Sequence, residues 1–288
     1  MIDEALIAGR FAPRDILGRG GCGTVLEAMD LRLRRLVALK LIRRGEGGMD
    51  PARIAAEARS AARLSHPHIV AVHDAGDGPD YAWIAMELVI GEPLSAVLLR
   101  EGQLAEAEAA RIALELLDAL GHAHDRGVVH RDVKPANMML AIGTEEGHGT
   151  LRLTDFGVAR LGHEEAGDNF LGTPAWMAPE QVRGEPADHR ADLWAAGVVL
   201  YECLTGARPF RGPAPALMTR ILENAPTPPS TLAPGIAKEW DAVLAKALAK
   251  RRPTRFAHAR AMAEAIRAIP APEPRQAPRR SWRFELPF

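Results

Sequence analysis

Residues 130–139 read HRDVKPANMM, a polar loop with apolar GVV (127–129) before it and MML (138–140) after it. Packed ends of this kind let a loop hold catalytic groups in place. The loop carries an aspartate, a lysine two residues on and an asparagine five on. These residue types suit phosphoryl transfer: Asp132 accepts a hydroxyl proton, Lys134 neutralises a moving phosphoryl group and Asn137 offers a metal ligand. Further on, LRLTDFG (151–157) ends a strand-like run at Asp155, a second hard oxygen ligand suited to Mg²⁺. Any one of these residues alone is an ordinary turn residue; their order and spacing together are not what turns produce.

Upstream, GRGGCGTV (18–25) lies between apolar strand-like residues. Glycines at this spacing let a backbone hairpin close over a phosphate chain, because missing side chains allow close approach and expose N–H donors. The same pattern fits a dinucleotide-binding turn or a plain hairpin. A dinucleotide turn opens onto a helix, whereas TVLEAM (24–29) reads as another strand. Next, VALK places Lys40 on a strand with Ala38 and Ile42 on the same face. A lysine in such a place is commonly a snorkelling surface group. Glu57, on the one helix of this region, is the partner that would aim the ammonium at phosphate oxygens.

Around these motifs the texture changes once. From Phe11 to about Val89 the chain shows strand-like runs such as LVALKLI (36–42) and one helical segment, PARIAAEARSAARL (51–64), opened by Asp50 and Pro51. From Pro93 onward it shows Ala/Leu-rich helical patterns over 105–127, 188–206, 238–250 and 255–269. The expectation is an α+β, bilobal molecule. A small antiparallel β-rich lobe with one main helix (about 9–88) precedes a larger, mainly helical lobe (about 93–270). Residues 271–288 are rich in Pro and Arg and read as a tail.

With 288 residues and 47% hydrophobic content the chain can bury a full core. A net charge of -1 gives no sequence-wide attraction to nucleic acid or to an anionic membrane. The two cysteines, Cys22 and Cys203, are far apart and lack metal-ligand spacing, which fits a reducing compartment. The longest apolar run, LWAAGVVLYECL (193–204), is too short to span a bilayer, and the acidic start lacks a basic leader. A soluble, cytoplasmic chain is expected, with no nucleic-acid partner and no membrane insertion.

Taken together, the motifs over residues 9–268 resemble the eukaryotic-type Ser/Thr protein kinases, most closely their bacterial branch. The resemblance implies ATP and Mg²⁺, with Mn²⁺ as a substitute, and transfer of the γ-phosphoryl group to Ser/Thr hydroxyls of proteins, the chain itself included. It implies that Gly18, Gly20 and Gly23 cover the ATP phosphates and that Lys40, paired with Glu57, holds the α- and β-phosphates. Asp132 is then the catalytic base, Lys134 accompanies the γ-phosphate, and Asn137 and Asp155 bind the metal. Val25, Ala38 and Met139 would sandwich adenine, Met86 would stand as gatekeeper, and the backbone of Glu87 and Val89 would meet the adenine edge. Asp192 resembles the family's buried brace for the catalytic loop, Glu180 of APE is expected to pair with Arg255, and Thr173 of GTPAWMAPE belongs to the peptide platform.

Between Asp155 and Glu180 the chain has no Ser, Thr or Tyr from Val158 through Leu171. In kinases with Arg before the catalytic Asp, a phosphate here typically neutralises a basic pocket. By position that pocket is Arg53, Arg131 and Arg160. The acidic residues Glu164, Glu165 and Asp168 are candidate substitutes for the phosphate; control through the small lobe, by a homodimer or a regulatory partner, is the alternative. Cys22, at the tip of the glycine loop, is either an oxidisable thiol or a small residue tolerated there. Two rival functions remain in view. A pseudokinase scaffold normally lacks the lysine or one of the two aspartates, and a small-molecule phosphotransferase has no use for Lys134 together with a peptide platform.

Overall fold

A computed structural model describes residues 6–20, 23–43, 58, 61–78, 80–142, 149–156 and 174–270. Five strands build the first sheet: β1 (Phe11–Gly20), β2 (Gly23–Asp30), β3 (Arg35–Arg43), β4 (Val72–Asp77) and β5 (Tyr81–Met86). They are antiparallel throughout and ordered β1-β2-β3-β5-β4. The alternation legible in LVALKLI sorts side chains onto two faces. Ala38 and Ile42 join Val70, Ile84 and Met86 on one side, while Val37 and Leu39 join Phe11, Ala28 and Trp83 on the other. The first of these faces points toward the cleft, and Lys40 stands on it.

A second, three-stranded sheet orders β6 (Gly91–Pro93), β7 (Met138–Ala141) and β8 (Thr150–Leu153). Its strands are three or four residues long, too short to leave a periodic signal in the sequence. The remainder is helical: α1 (Leu94–Glu101), α2 (Glu106–His124), α3 (Pro179–Val182), α4 (Arg190–Thr205), α5 (Ala214–Glu223), α6 (Pro229–Leu232), α7 (Glu239–Ala247) and α8 (Ala259–Arg267). α4 is buried along nearly its whole length, from Ala191 to Leu204, so it serves as the axis about which the others pack. Gly197 makes one of those contacts possible, since a Cβ there would lie 2.8 Å from that of Ala247 on α7. The architecture is the α+β, two-lobed one expected.

Each helical pattern read from Pro93 onward corresponds to a helix, trimmed by a few residues at its ends. α5 had not been anticipated. Its signal is Pro213 at the N-cap followed by Leu217 and Ile221, an i,i+4 pair that is buried. The small-lobe helix expected over 51–64 lies almost wholly outside the described residues. So do Arg53, Glu57 and Cys22, the segment 157–173 with Arg160 and Thr173, and the tail 271–288.

Candidate active site

Two elements from the second lobe and one strand from the first converge on a single cleft. The loop between α2 and β7 holds Asp132, whose carboxylate Oδ2 accepts from Lys134 Nζ at 2.7 Å and from Asn137 Nδ2 at 3.0 Å. Asn137 also donates to the Asp132 carbonyl at 2.8 Å, and its side chain is buried. The short helical turn Pro135–Asn137 makes this possible, because it folds the asparagine back over the aspartate five residues earlier. Asp132 Oδ1 accepts no hydrogen bond from the described residues.

Beneath the loop sits Asp192 at the start of α4, buried and saturated. Its Oδ1 accepts the Arg131 amide at 2.7 Å; its Oδ2 accepts the His130 amide at 2.8 Å and His124 Nε2 at 2.8 Å. Burial alone would raise the carboxyl's pKa, but the bond from His124 and the charges and amides around it outweigh this, so it is held below the usual carboxylate range. A fixed anion there explains how Arg131 is kept at φ 68, a left-handed conformation unfavourable for any residue with a Cβ. His130 completes the brace. Its Nδ1 accepts the Asp132 amide at 3.2 Å, so in the neutral ring Nε2 carries the proton and donates to Thr154 O at 2.9 Å. Thus the residue before Asp155 is tied to the residue before Arg131.

On the other side of the cleft Lys40, 5% exposed, donates from Nζ to Asp155 Oδ1 at 2.7 Å. Asp155 itself adopts φ 66. Burial works to raise its pKa, while the adjacent Lys40 charge and hydrogen bond pull it down further, and the group is held ionised. The partner that the sequence assigned to Lys40, Glu57, lies outside the described residues. Asp155 and Asn137 supply an anionic oxygen and an amide oxygen, the hard donor set that Mg²⁺ takes when phosphates and water complete its shell.

The predicted adenine-side residues fall around the same opening. Val25 pairs with Lys40 across β2 and β3, and Ala38 pairs with Met86 across β3 and β5. Val25, Ala38, Met86 and Val89 belong to one apolar cluster, and Met139 lies on β7 in the facing lobe. The Glu87 amide donates to Ala71 O at 2.9 Å, so its carbonyl is the group on offer to a ligand edge. Its carboxylate is taken up by Arg152 and by the Ala71 amide. Of the three glycines, Gly23 alone has positive φ (120), and a Cβ on it would lie 2.0 Å from Leu41 O; at Gly18 and Gly20 a Cβ would meet nothing. Gly23 therefore is required by the fold, and the other two leave open space above the sheet.

Away from the cleft, Arg255 and Glu180 form a fully buried two-pronged ion pair, both contacts 2.7 Å, with Arg255 Nε on Ala249 O at 2.8 Å. It fastens α3, and with it the platform residues Pro174–Trp176, to the base of the lobe. Sequence reasoning missed His124 as a ligand of Asp192, although HAH (122–124) just before the loop offered a signal. It also missed the small-lobe knot in which Asp30 accepts Arg10 Nε and Nη2 at 2.9 and 2.7 Å while Arg10 Nη1 reaches Asp74 at 2.5 Å. These are pairings between segments apart in sequence, for which a single sequence carries no cue.

A two-lobed molecule with this loop, this buried brace and this lysine–aspartate contact is a protein kinase fold, and residues 11–265 match the family model described as protein kinase domain. The chain belongs to that family. Among curated proteins it is similar to the probable serine/threonine-protein kinase PknB of Bifidobacterium longum, 38% identical over 272 residues that cover 88% of this chain and 39% of that one. Serine/threonine-protein kinase PknB of Mycobacterium leprae is 36% identical over 285 residues, covering 95% and 45% respectively. Serine/threonine-protein kinase PknE of Mycobacterium tuberculosis is 39% identical over 254 residues, covering 86% and 44%. The chain thus falls in the bacterial Ser/Thr branch and spans less than half the length of these relatives.

Proposed function

We propose that the chain transfers the γ-phosphoryl group of ATP to Ser/Thr hydroxyls of proteins, its own included. The observation that carries this reading is the Asp132 carboxylate, part-exposed and fixed through one oxygen by Lys134 and Asn137, with no hydrogen bond from the described residues to the other. In the step so envisaged, the hydroxyl oxygen of the acceptor forms a bond to the γ-phosphorus, the bond to the β-phosphate oxygen breaks, ADP leaves, and the hydroxyl proton passes to Asp132. Lys134 steadies Asp132 and offsets charge on the moving group. Lys40 orients the phosphates from the opposite wall. Asn137 and Asp155 would hold Mg²⁺, which when bound supplies positive charge to the phosphate oxygens.

Incubation with labelled ATP, Mg²⁺ and a generic acceptor protein tests the proposal. Label on serine or threonine that is lost in Asp132→Asn supports it; transfer only to small hydroxyl compounds, or none that depends on Asp132, rules it out. Retention of Lys40, Asp132 and Asp155 weighs against a scaffold, and Lys134 together with GTPAWMAPE weighs against a small-molecule phosphotransferase.

Two parts of the proposal concern control. Arg131 Nε is buried without a partner among the described residues, which favours an anion meeting it; Glu164, Glu165 and Asp168 are the candidates in this chain, with Arg53 and Arg160 completing the pocket. Activity of the dephosphorylated protein, and its loss on replacing those three by Gln and Asn, tests this. On the small lobe, Leu31, Leu33 and Leu36 are 49%, 51% and 37% exposed beside the Arg10–Asp30–Asp74 knot. Apolar exposure next to fixed charges suits a second copy or a regulatory protein, and sedimentation across a concentration series checks for self-association. A cytoplasmic, signalling role belongs to the same proposal; no described helix is long and apolar enough to cross a membrane.

A further inference from the structure

Beside the peptide platform runs a groove of about 500 Å³ between the end of α4 and α5. Its charged lining is three arginines, Arg208, Arg211 and Arg220, with no carboxylate among the described residues. Glu202, just outside that lining, places Oε1 4.0 Å from Arg208 Nε and also feels the Arg211 charge. One carboxylate at that distance does not balance three guanidinium groups. The hydrogen bonds of the other two go to backbone among the described residues: Arg211 Nε donates to Arg208 O at 3.2 Å, and Arg220 Nη1 donates to Arg211 O. Gly212 turns the loop at φ 132, and the Arg220 guanidinium lies against it. Carbonyl contacts of this kind fix a guanidinium without neutralising it, so the remaining N–H groups stay available to an anion.

One wall of the groove adjoins the platform. Arg208 stacks over Trp176 with Cζ 5.3 Å from the ring centroid, and Trp176 lines a small cavity together with Asp132 and Arg131. Through Arg208 and Trp176 the groove thus neighbours the loop that carries Asp132. We infer that the Arg208–Arg211–Arg220 groove docks an acidic segment of the protein that receives the phosphoryl group. This deepens the proposed function and rests on it. Free sulfate or phosphate would be held weakly by exposed arginines, whereas a segment of several carboxylates engages all three together.

Two synthetic peptides test the inference, each with one threonine, flanked in one by Asp and Glu and in the other by Asn and Gln. The acidic peptide is expected to have a KM roughly fivefold lower at an unchanged kcat, because each exposed ion pair contributes only a modest gain. The preference falls as salt is raised. In the Arg211→Gln/Arg220→Gln variant the two peptides become equivalent, while turnover of the neutral one is unchanged. Anisotropy of the labelled acidic peptide on the nucleotide-free protein gives a second readout, with binding weakened in the double variant. Equal use of both peptides, a preference for a Lys/Arg-flanked one, or a preference that survives in the double variant overturns the inference. If no peptide is phosphorylated at all, the kinase proposal fails, and the binding arm still decides whether the groove takes acidic chains.

Discussion

Replacing Glu180 by Gln removes one half of an ion pair whose side chains are 1% and 0% exposed, leaving the Arg255 guanidinium buried with its charge uncompensated. Breaking a buried pair in this way costs about 3–5 kcal/mol. The lower end applies here, because Arg255 keeps the Ala249 carbonyl at 2.8 Å, weaker contacts to Lys250 O and Arg190 O, and the face of Trp194 at 5.0 Å. About 3 kcal/mol corresponds to a loss of roughly 6–12 °C in Tm for a domain of this size. Urea denaturation and thermal melts of the wild type, Glu180→Gln, Arg255→Met and the double variant supply the full cycle. The double variant is expected to be more stable than Glu180→Gln, since an apolar chain replaces the orphaned charge, and the coupling should exceed 1 kcal/mol. A Glu180→Gln protein within 1 kcal/mol of wild type would refute the claim that this pair anchors the platform.

Gly23→Ala should lower ATP affinity and thermal stability together, because its Cβ meets the backbone of the strand that carries Lys40. Gly18→Ala and Gly20→Ala should leave Tm unchanged and raise only the KM for ATP, which separates folding from nucleotide contact. Asp192→Asn sets an amide against the His130 or Arg131 N–H, and a drop of at least tenfold in kcat with about 2 kcal/mol of destabilisation is expected from initial rates and urea melts. Asp30 is held at a pKa of about 2, against 3.8 unperturbed, chiefly by its bond to Arg10. A depressed folded pKa stabilises above the unfolded value and is lost as pH falls through the folded one, here between about pH 4 and pH 2. Its contribution is about 2 kcal/mol, so the stability gap between wild type and Asp30→Asn should narrow across that window; a gap independent of pH counts against it.

What the sequence made legible follows from where the cues are local. HRDVKPAN, DFG and the glycine run are contiguous, and the fold brings Asp132, Lys134, Asn137, Asp155 and Lys40 to one cleft. Long helices such as α4 announced themselves because burial on all sides forces an unbroken apolar run. The small sheet β6–β8 stayed hidden, since three or four residues cannot show a period. The Arg10–Asp30–Asp74 knot and the His124–Asp192 bond depend on strand and helix packing across long separations. Charged residues of that kind read as ordinary surface until the partners are seen. Likewise the arginine groove draws on the α4–α5 loop and on Arg220 of α5, a helix the sequence pattern did not single out.

Mass spectrometry of the protein and an added acceptor after incubation with ATP and Mg²⁺ tests the central claim most directly. Phosphoesters on serine and threonine, present with the wild type and absent with Asp132→Asn, are the predicted result. Release of inorganic phosphate without any phosphoester on protein, or an unchanged pattern in the Asp132→Asn protein, would contradict it.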